Sequence, residues 1–384
     1  MNSTKYINII MGSGEWGLYH RKEFTKEIII NGEEIAFVNF PISLLVNLFI
    51  KFRSRFIPYF LGKYRVNSNT GFIIFTPLML THYLLWRKSS IIASIDSYLV
   101  SFQLNRFIKK YYPNRKVRLW LYMPEQKYLV GKVKYDLLIY DSYDDCDLNF
   151  DGTINNKRAE LNQELIKESD FLIVISKYTY DKYSKYAKNI FRSRGGYSCG
   201  VFKSSSQKIN ITDSNKPVLG YVGTFRNWID YELINRLIDS NEFILVFIGY
   251  IDRSSKNYFE TILKNKNVIH INYVDISKIP MYMKNFSVGL IPFKINNFMR
   301  SVYPNKFFEY ISLNIPVVST ALPELEAFKD YIALSENNDE FIENCKKAVH
   351  GEYSSKITRY PEIMENNDWN SIVNEIVDEI RKLD

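Results

Sequence analysis

Short apolar runs alternate with helical segments along the whole chain, and this alternation is typical of mostly parallel α/β sheets. In the first half, the runs that predict strands span 6–11, 35–40, 72–75, 90–95, 118–122, 136–140 and 171–176. In the second half, they span 218–224, 243–249, 268–271, 288–292 and 315–318. The segments between them predict helices, among them 101–110, 160–169, 178–186, 230–239, 256–264 and 276–284. The pattern therefore predicts two doubly wound, Rossmann-like domains.

A polar stretch at residues 204–216 separates the two halves, because it is rich in turn-forming residues and has no apolar period. We predict a first domain over residues 1–203, a linker over 204–216 and a second domain over 217–365. The remaining residues, 366–384, predict a C-terminal helix. A chain of 384 residues is long enough for two domains of typical size.

The stretch from Val302 to Thr320 carries the clearest chemical signal in the second half. Pro304 suits the start of a helix, and Asn314 suits its left-handed end. Lys306 and Glu309 lie three residues apart, so they share one face in the first turn, where backbone N–H groups attract anions. A cation and a carboxylate at this position suit a ligand that carries both phosphates and sugar hydroxyls.

This stretch, together with Leu-Pro-Glu at 322–324, resembles the C-terminal signature of family-4-type glycosyltransferases, which have the GT-B fold. The resemblance implies two Rossmann-like domains that face a cleft. It implies that Glu309 binds the ribose hydroxyls of a nucleotide-sugar, with Asn305 and Lys306 beside it. Many members carry a second glutamate eight positions earlier, where this chain has Ser301.

The loop after the strand at 218–224 lies where the family has its phosphate-binding loop. Gly223 allows backbone amides to approach a phosphate, and Arg226 is able to bind it with two hydrogen bonds. Asp230, slightly later, equally suits the N-terminal cap of the next helix. The resemblance also implies that the C-terminal helix, which contains Trp369, crosses back to the first domain. The expected donor-binding residues are Gly223, Arg226, Ser301, Asn305, Lys306 and Glu309.

A Gly-x-Gly-x-x-Gly pattern follows the first predicted strand, at Gly12, Gly14 and Gly17. This pattern also occurs in NAD sites, but those sites need an acid near the end of the second strand, where Asn39 stands. The resemblance instead places the glycine loop near the acceptor or the diphosphate. The side chains just beyond it that could contact these groups are Glu15, His20 and Arg21, for which a solvated helix face is the alternative.

Four carboxylates lie within seven residues after the strand at 136–140, namely Asp141, Asp144, Asp145 and Asp147. Their repulsion raises some of their pKa values, and a carboxylate here is placed to deprotonate an acceptor hydroxyl. The cluster resembles the Tyr-Asp-x-x-Asp-Asp stretch of polysaccharide glycosyltransferases with the GT-B architecture. We name Asp144 or Asp145 as the first candidate for the base and Asp141 as the second. Two alternatives stay open: a metal-binding Asp-x-Asp pair, which a doubly wound second domain disfavours, and capping of the following helix.

The basic residues are concentrated in the first half of the chain. Residues 1–216 carry 32 Lys and Arg against 19 Asp and Glu, whereas residues 217–384 carry 18 against 23. No zinc-finger spacing or single-strand recognition motif accompanies this charge, so we expect no nucleic-acid partner and favour an anionic membrane surface.

Residues 43–65 also favour a membrane surface, because large apolar residues recur there at helical spacing with Lys and Arg between them. A helix packed on its own domain is the alternative. Further basic residues that we assign to the same surface are Arg106, Lys109, Lys110, Arg115, Lys116 and Arg118.

The three cysteines, Cys146, Cys199 and Cys345, form no disulfide or metal-ligand pattern, which fits a reducing compartment. The sequence contains no signal-peptide pattern and no apolar run of about 18 residues. We therefore expect a cytoplasmic protein that associates peripherally with the membrane.

Together these features predict a metal-independent glycosyltransferase of GT-B architecture. It would move a sugar from a nucleotide diphosphate-sugar, with UDP or GDP, to a glycan or lipid-linked acceptor in cell-surface polysaccharide synthesis. No cofactor is expected besides this substrate. The alternatives are a sugar-nucleotide epimerase with a similar architecture and a non-catalytic, membrane-associated nucleotide-sugar-binding protein.

Overall fold

A computed structural model describes residues 5–16, 21–46, 65–67, 71–204, 207–365 and 367–384. The chain forms two compact units. Unit 1 comprises Met1–Leu148, Ile154–Ser193 and Val373–Asp384, and unit 2 comprises Asn149–Thr153 and Arg194–Ile372. This division differs from the predicted boundaries, because residues 194–216 and a short loop at 149–153 belong to unit 2.

Unit 1 is built on a sheet whose strands follow the apolar runs of the first half. Its strands are β1 (Tyr6–Met11), β2 (Ile35–Val38), β4 (Arg65–Asn67), β5 (Phe72–Phe75), β7 (Lys116–Leu121), β8 (Leu137–Ser142), β9 (Phe171–Val174) and β10 (Ile190–Arg192). Two short strands, β3 (Ile42–Ser43) and β6 (Leu78–Met79), form a separate parallel pair.

The strand order of the large sheet is β10-β9-β8-β7-β1-β2-β5-β4. Every neighbouring pair is parallel except β4 and β5. The order reverses between β1 and β7, and ligands of doubly wound sheets bind at the carboxyl ends of the strands at such a reversal.

Four helices of unit 1 in the described part of the chain cover this sheet or its edges. They are α1 (Lys22–Ile30), α2 (Ser90–Tyr111), α3 (Asn156–Glu168) and α4 (Lys177–Tyr183). The strand predicted at 90–95 is wrong, because Ser89 caps the N-terminus of α2 and the helix runs on from Ser90. Ala93, Val100 and Leu104 are fully buried at helical spacing, so the apolar run is the first part of an amphipathic helix.

Unit 2 contains a six-stranded sheet in which every pair is parallel. Its strands are β11 (Val218–Val222), β12 (Ile244–Ile248), β13 (Val268–Ile271), β14 (Val288–Ile291), β15 (Val317–Thr320) and β16 (Ala333–Ser335). The order β13-β12-β11-β14-β15-β16 is that of a Rossmann fold, with the reversal between β11 and β14. The predicted α/β class with doubly wound parallel sheets is confirmed.

The helices that follow unit 2's chain order complete the doubly wound pattern. They are α5 (Cys199–Ser204), α6 (Tyr231–Asp239), α7 (Lys256–Ile262), α8 (Ile279–Met283), α9 (Lys306–Ile311), α10 (Asn338–Val349), α11 (Ser354–Ile357), α12 (Tyr360–Met364) and α13 (Trp369–Arg381). Asn314 ends the turn after α9 with φ 56°, the left-handed conformation that the sequence predicts.

The C-terminal part of α13 packs with unit 1, to which residues from Val373 onward belong. Arg381 Nη2 lies 2.9 Å from Glu33 Oε1, and Glu33 Oε2 lies 2.8 Å from Arg118 Nη1. Arg118 also pairs with Asp384. Because Arg118 is only 3% exposed, its assignment to a basic surface is wrong.

Within the described parts of the chain, no helix combines the length and apolar character needed to cross a bilayer. Most of the basic segment predicted at 43–65 lies outside the described residues, since these resume only at 65–67 after residue 46.

Candidate active site

Two glycines meet where β11 and β12 end in unit 2. Gly223 has φ 153° and Gly249 has φ 136°, conformations that other residues rarely adopt. A Cβ added to Gly249 would lie 2.1 Å from the carbonyl oxygen of Gly223. The predicted phosphate loop therefore keeps its conformation only with these small residues, and its backbone is accessible to a ligand.

Arg226 lies in this loop between two aromatic rings. Its guanidinium carbon is 5.5 Å from the ring centre of Phe150 and 5.4 Å from that of Trp228. Its Nε lies 3.4 Å from Asp252 Oδ2, and its side chain is 36% exposed. The side chain is thus positioned by contacts on several sides while part of its cationic surface faces solvent.

Backbone hydrogen bonds tie the loop after β11 to the residues after β14. The amide of Asp230 donates to the carbonyl of Pro292 at 2.8 Å, and the amide of Lys294 donates to that of Trp228 at 2.8 Å. The Asp230 side chain accepts from the amide of Leu233 at 3.0 Å and caps α6, the alternative role that the sequence allowed. The loop at the sheet reversal of unit 2 is therefore held at both ends.

Lys306 and Glu309 form a close ion pair on α9. Lys306 Nζ lies 2.7 Å from Glu309 Oε2 and 2.9 Å from Oε1, and the side chains are 26% and 12% exposed. Burial raises the pKa of Tyr221, and the charge of Glu309 raises it further. Glu309 is therefore within electrostatic range of the tyrosine that lies beneath the Gly223 loop, so the structure brings these predicted donor residues into one region.

Asn305 precedes α9 without capping it through its side chain. Its Oδ1 atom is buried and accepts no hydrogen bond from the described residues. A Cβ on Gly195 would lie 2.5 Å from this oxygen and 2.3 Å from Cδ1 of Tyr303, so packing requires a glycine there. Ser301 is fully buried, and its hydroxyl donates to the carbonyl of Phe298 at 2.8 Å, which leaves it no exposed surface for a ligand.

In unit 1, the structure joins two residues that the sequence placed in the site separately. Arg21 Nη2 lies 2.6 Å from Asp141 Oδ2, and the side chains are 6% and 1% exposed. Burial raises the pKa of Asp141, and the Arg21 charge opposes that shift. The guanidinium of Arg21 also lies 4.2 Å from the ring centre of Phe24. Asp141 and Arg21 therefore form a buried ion pair at the end of β8.

Asp145 is completely buried and held by two side chains of α4. Lys182 Nζ lies 2.9 Å and 2.8 Å from its two carboxylate oxygens, and the hydroxyl of Tyr183 donates to Oδ1 at 2.8 Å. Lys182 also lies 2.7 Å from Asp147 Oδ2. The ammonium group thus occupies the position between the two carboxylates that an Asp-x-Asp metal site would use, and no cluster of three or more metal-ligating residues occurs in the described part of the chain.

Asp144 differs from its neighbours because it is half-buried and close to cations that do not cover it. Burial raises its pKa to about 7, and the charges of Arg158 and Arg21 limit the rise. At neutral pH a large fraction of this carboxyl group is therefore ionised and still basic enough to accept a proton.

The glycine loop after β1 is only partly described, since Gly17 and His20 lie outside the described residues. A Cβ on Gly12 would lie 2.3 Å from Cζ of Phe37, so a glycine is required for packing, whereas a Cβ on Gly14 would meet nothing within 4 Å. Glu15 is exposed. The loop thus offers open backbone at Gly14 beside the sheet reversal of unit 1.

Solved structures with known activities share this fold over almost their entire length. Sucrose-phosphate synthase from Thermosynechococcus elongatus has a TM-score of 0.70 at 11% identity, with 98% of each chain covered. HepE from Anabaena, solved in complex with UDP, has a TM-score of 0.67 at 10% identity, covering 98% of this chain and 100% of that one. The trehalose 6-phosphate synthase from Burkholderia multivorans has a TM-score of 0.69 at 8% identity, covering 98% and 96%.

The chain has the GT-B fold. A curated protein, described as the putative teichuronic acid biosynthesis glycosyltransferase TuaH of Bacillus subtilis, is 23% identical over 281 residues, or 67% of this chain and 70% of that protein. No family model matches the sequence. The predicted resemblance to GT-B glycosyltransferases is confirmed, in fold by the solved structures and in sequence by this relative.

Several residues of this GT-B site region were not predicted. Glu125 is 2% exposed and pairs with Arg87 and with Arg158, whose Nε lies 3.1 Å away. Lys182, Phe150 and Trp228 were also missed. Their partners lie far away in the sequence, so no local pattern could reveal them. Gly249 was identifiable, because it ends a predicted strand as Gly223 does.

Proposed function

We propose that this GT-B protein is a glycosyltransferase that moves a sugar from a nucleotide diphosphate-sugar to a glycan or lipid-linked acceptor in cell-surface polysaccharide synthesis. The relative TuaH, described as a glycosyltransferase of teichuronic acid biosynthesis, supports the reaction and the pathway. The UDP bound by HepE supports UDP rather than GDP as the donor nucleotide.

The observation that carries this proposal is the arrangement of Lys306, Glu309 and the Gly223 loop in unit 2. Glu309 accepts hydrogen bonds from the ribose hydroxyls, and Lys306 fixes the orientation of its carboxylate. Backbone amides near Gly223 and the guanidinium of Arg226 bind the diphosphate. These cationic groups offset the charge that develops on the leaving diphosphate, so the reaction needs no metal ion.

Unit 1 supplies the acceptor side of the reaction in this proposal. Asp144 takes the proton from the acceptor hydroxyl, because its pKa of about 7 lets it be ionised and basic under the same conditions. Asp145 is excluded from this role by Lys182 and Tyr183, which occupy its oxygens. Asp141 and Arg21 hold each other and set the charge near Asp144.

The donor site is tested by measuring UDP binding calorimetrically to Glu309→Ala and to a control, Glu326→Ala. Glu326 is an exposed glutamate of the same unit that pairs with Lys329. We expect the affinity to fall at least about tenfold for Glu309→Ala, since two hydrogen bonds to a charged group are lost, and to stay unchanged for Glu326→Ala. Equal affinity in both variants would contradict the proposed donor site.

The reaction itself is tested with a panel of nucleotide-sugars and acceptors, followed by mass spectrometry. A glycosyltransferase releases the nucleoside diphosphate and adds a sugar to the acceptor. Conversion of the donor into an isomeric sugar or its nucleotide, without transfer, would instead support the epimerase, and binding without turnover would support the non-catalytic alternative.

We also propose that the protein works in the cytoplasm, on the inner membrane surface, where a lipid-linked acceptor is presented. The concentration of basic residues in the first half of the chain supports this placement.

A further inference from the structure

The outer face of α2 carries a row of exposed apolar side chains. Ile91, Ile95, Tyr98 and Phe102 are 73%, 53%, 63% and 66% exposed. Their spacing of four, three and four residues places them on one side of the helix, over about 17 Å. From Ile91 to Phe102 these four are the exposed residues of the helix, so no charged side chain interrupts the row.

The opposite face of α2 explains why the row points outward. Val100, Leu104 and Phe107 are fully buried in the core of unit 1. Asp96, the acid in this part of the helix, is also buried and accepts hydrogen bonds from the amide of Leu80 at 2.7 Å and the indole of Trp86 at 3.1 Å. The core therefore fixes the rotation of the helix and keeps the four apolar side chains in solvent.

The same face becomes basic in the last two turns of α2. Arg106, Lys109 and Lys110 are exposed there, directly after Phe102. A groove of about 1040 Å³ opens at this end of the helix, and its charged lining consists of Arg106, Lys109, Lys110, Arg115, Lys134 and Asp136. In the part of the chain that the structure describes, Arg106 and Lys109 form no ion pair with an acid.

Large exposed apolar rows are rare in proteins unless something covers them. The charge beside this row indicates which partner fits, because five cationic side chains and one carboxylate call for an anionic surface. A second copy of the chain would present the same cations to this face and no complementary acids. A bilayer with anionic headgroups supplies both the apolar layer and the phosphates.

We propose that the outer face of α2 docks on an anionic lipid bilayer. The helix lies in the plane of the interface, with the row from Ile91 to Phe102 among the upper acyl chains and the basic end against lipid phosphates. This inference rests on the proposed membrane association, for which it names the docking face, and it does not involve the donor site of unit 2.

The test is sedimentation of the full chain with vesicles of phosphatidylcholine alone or mixed with phosphatidylglycerol. We expect binding to the mixed vesicles and weak binding to phosphatidylcholine. The variant Ile95→Ser/Phe102→Ser should bind the mixed vesicles at least about tenfold more weakly, because two buried apolar side chains are lost. The variant Arg106→Gln/Lys109→Gln should lose about fivefold per charge, and this loss should vanish at high salt.

The matched control is Ile30→Ser, since Ile30 is 67% exposed at the end of α1 in the same unit. Its vesicle binding should equal that of the unmodified protein, and all variants should keep the same circular dichroism. Unchanged sedimentation of Ile95→Ser/Phe102→Ser would overturn the proposal. So would a dimer, seen by analytical ultracentrifugation, that this variant converts to a monomer, because a second copy would then cover the row.

Failure of this proposal and failure of the proposed function give different results. UDP binding is measured in solution on the same variants, and it reports unit 2 alone. Vesicle binding lost with UDP binding retained supports the docking face, whereas UDP binding that is absent from every protein, including the unmodified one, rejects the donor site and leaves the vesicle result valid.

Discussion

Asp144 and Asp145 are adjacent in the sequence, yet their surroundings give them different roles. Asp145 has an ammonium and a phenol on its oxygens and no exposed surface. Asp144 is half-buried, and burial raises its pKa to about 7. One carboxylate therefore stabilises the fold of unit 1, and its neighbour is available for proton transfer.

Exchanging each of these acids for its amide separates the two roles. We expect Asp145→Asn to lower the free energy of unfolding by about 2 kcal/mol, because charged hydrogen bonds to Lys182 and Tyr183 are lost. Asp144→Asn should lower the transfer rate at least about 100-fold, the usual contribution of a general base, and change the free energy of unfolding by less than about 1 kcal/mol. Urea unfolding and steady-state kinetics measure both quantities, and a fully active Asp144→Asn variant would exclude Asp144 as the base.

The raised pKa of Asp144 also determines the pH dependence of the reaction. Since a base must be ionised, the transfer rate should rise about tenfold per pH unit below pH 7 and level off above it. A carboxylate with an ordinary pKa near 4 would give a flat profile over the same range. The profile of kcat/KM between pH 5 and pH 9, measured at constant ionic strength, distinguishes the two, and a flat profile would speak against Asp144.

At the scale of single elements, the contact between the ends of β11 and β12 depends on the absence of a side chain. Gly249→Ala should destabilise the protein by about 2 kcal/mol and weaken UDP binding, because the new Cβ would lie 2.1 Å from the Gly223 carbonyl oxygen in a strained conformation. Gly200→Ala is the control, since a Cβ at that helical position meets nothing within 4 Å. Thermal unfolding and calorimetry report the two effects, and equal behaviour of both variants would refute the argument.

The elements themselves were predictable wherever burial followed the local period. The run at 268–271 was predicted to be an edge-length strand, and β13 is the edge of its sheet. The run at 90–95 was predicted as a strand because Ile91, Ile92 and Ile95 are close together. Two of these isoleucines are exposed on α2, and a local apolar count could not show that they face outward.

At the scale of the whole molecule, the sequence predicts two Rossmann-like sheets because each depends on a repeating local pattern. It does not predict which unit a segment joins, since this depends on contacts between residues far apart in the chain. The loop at 149–153 and residues 194–203 belong to unit 2 for this reason. The same limit applies to the site, where Lys182 and Asp145 meet over a separation of 37 residues.

The proposed charge balance of the reaction makes a prediction for the complete enzyme. Because Arg226 and Lys306 are expected to neutralise the leaving diphosphate, EDTA should leave the transfer rate unchanged within about twofold. Initial rates with EDTA, and with added Mg²⁺ or Mn²⁺, provide the measurement. A rate that EDTA abolishes and a divalent ion restores would show that the cationic side chains are insufficient.

The loop at 149–153 has a practical consequence for constructing hybrids and fragments of this enzyme. Phe150 reaches the ring stack around Arg226 from a chain position 76 residues earlier, between two segments of unit 1. A fragment that begins at residue 194, or a chimera that exchanges only the second half of the gene, would carry the arginine without its aromatic neighbour. Recombination between homologous enzymes should therefore keep these five residues and the downstream half from the same parent.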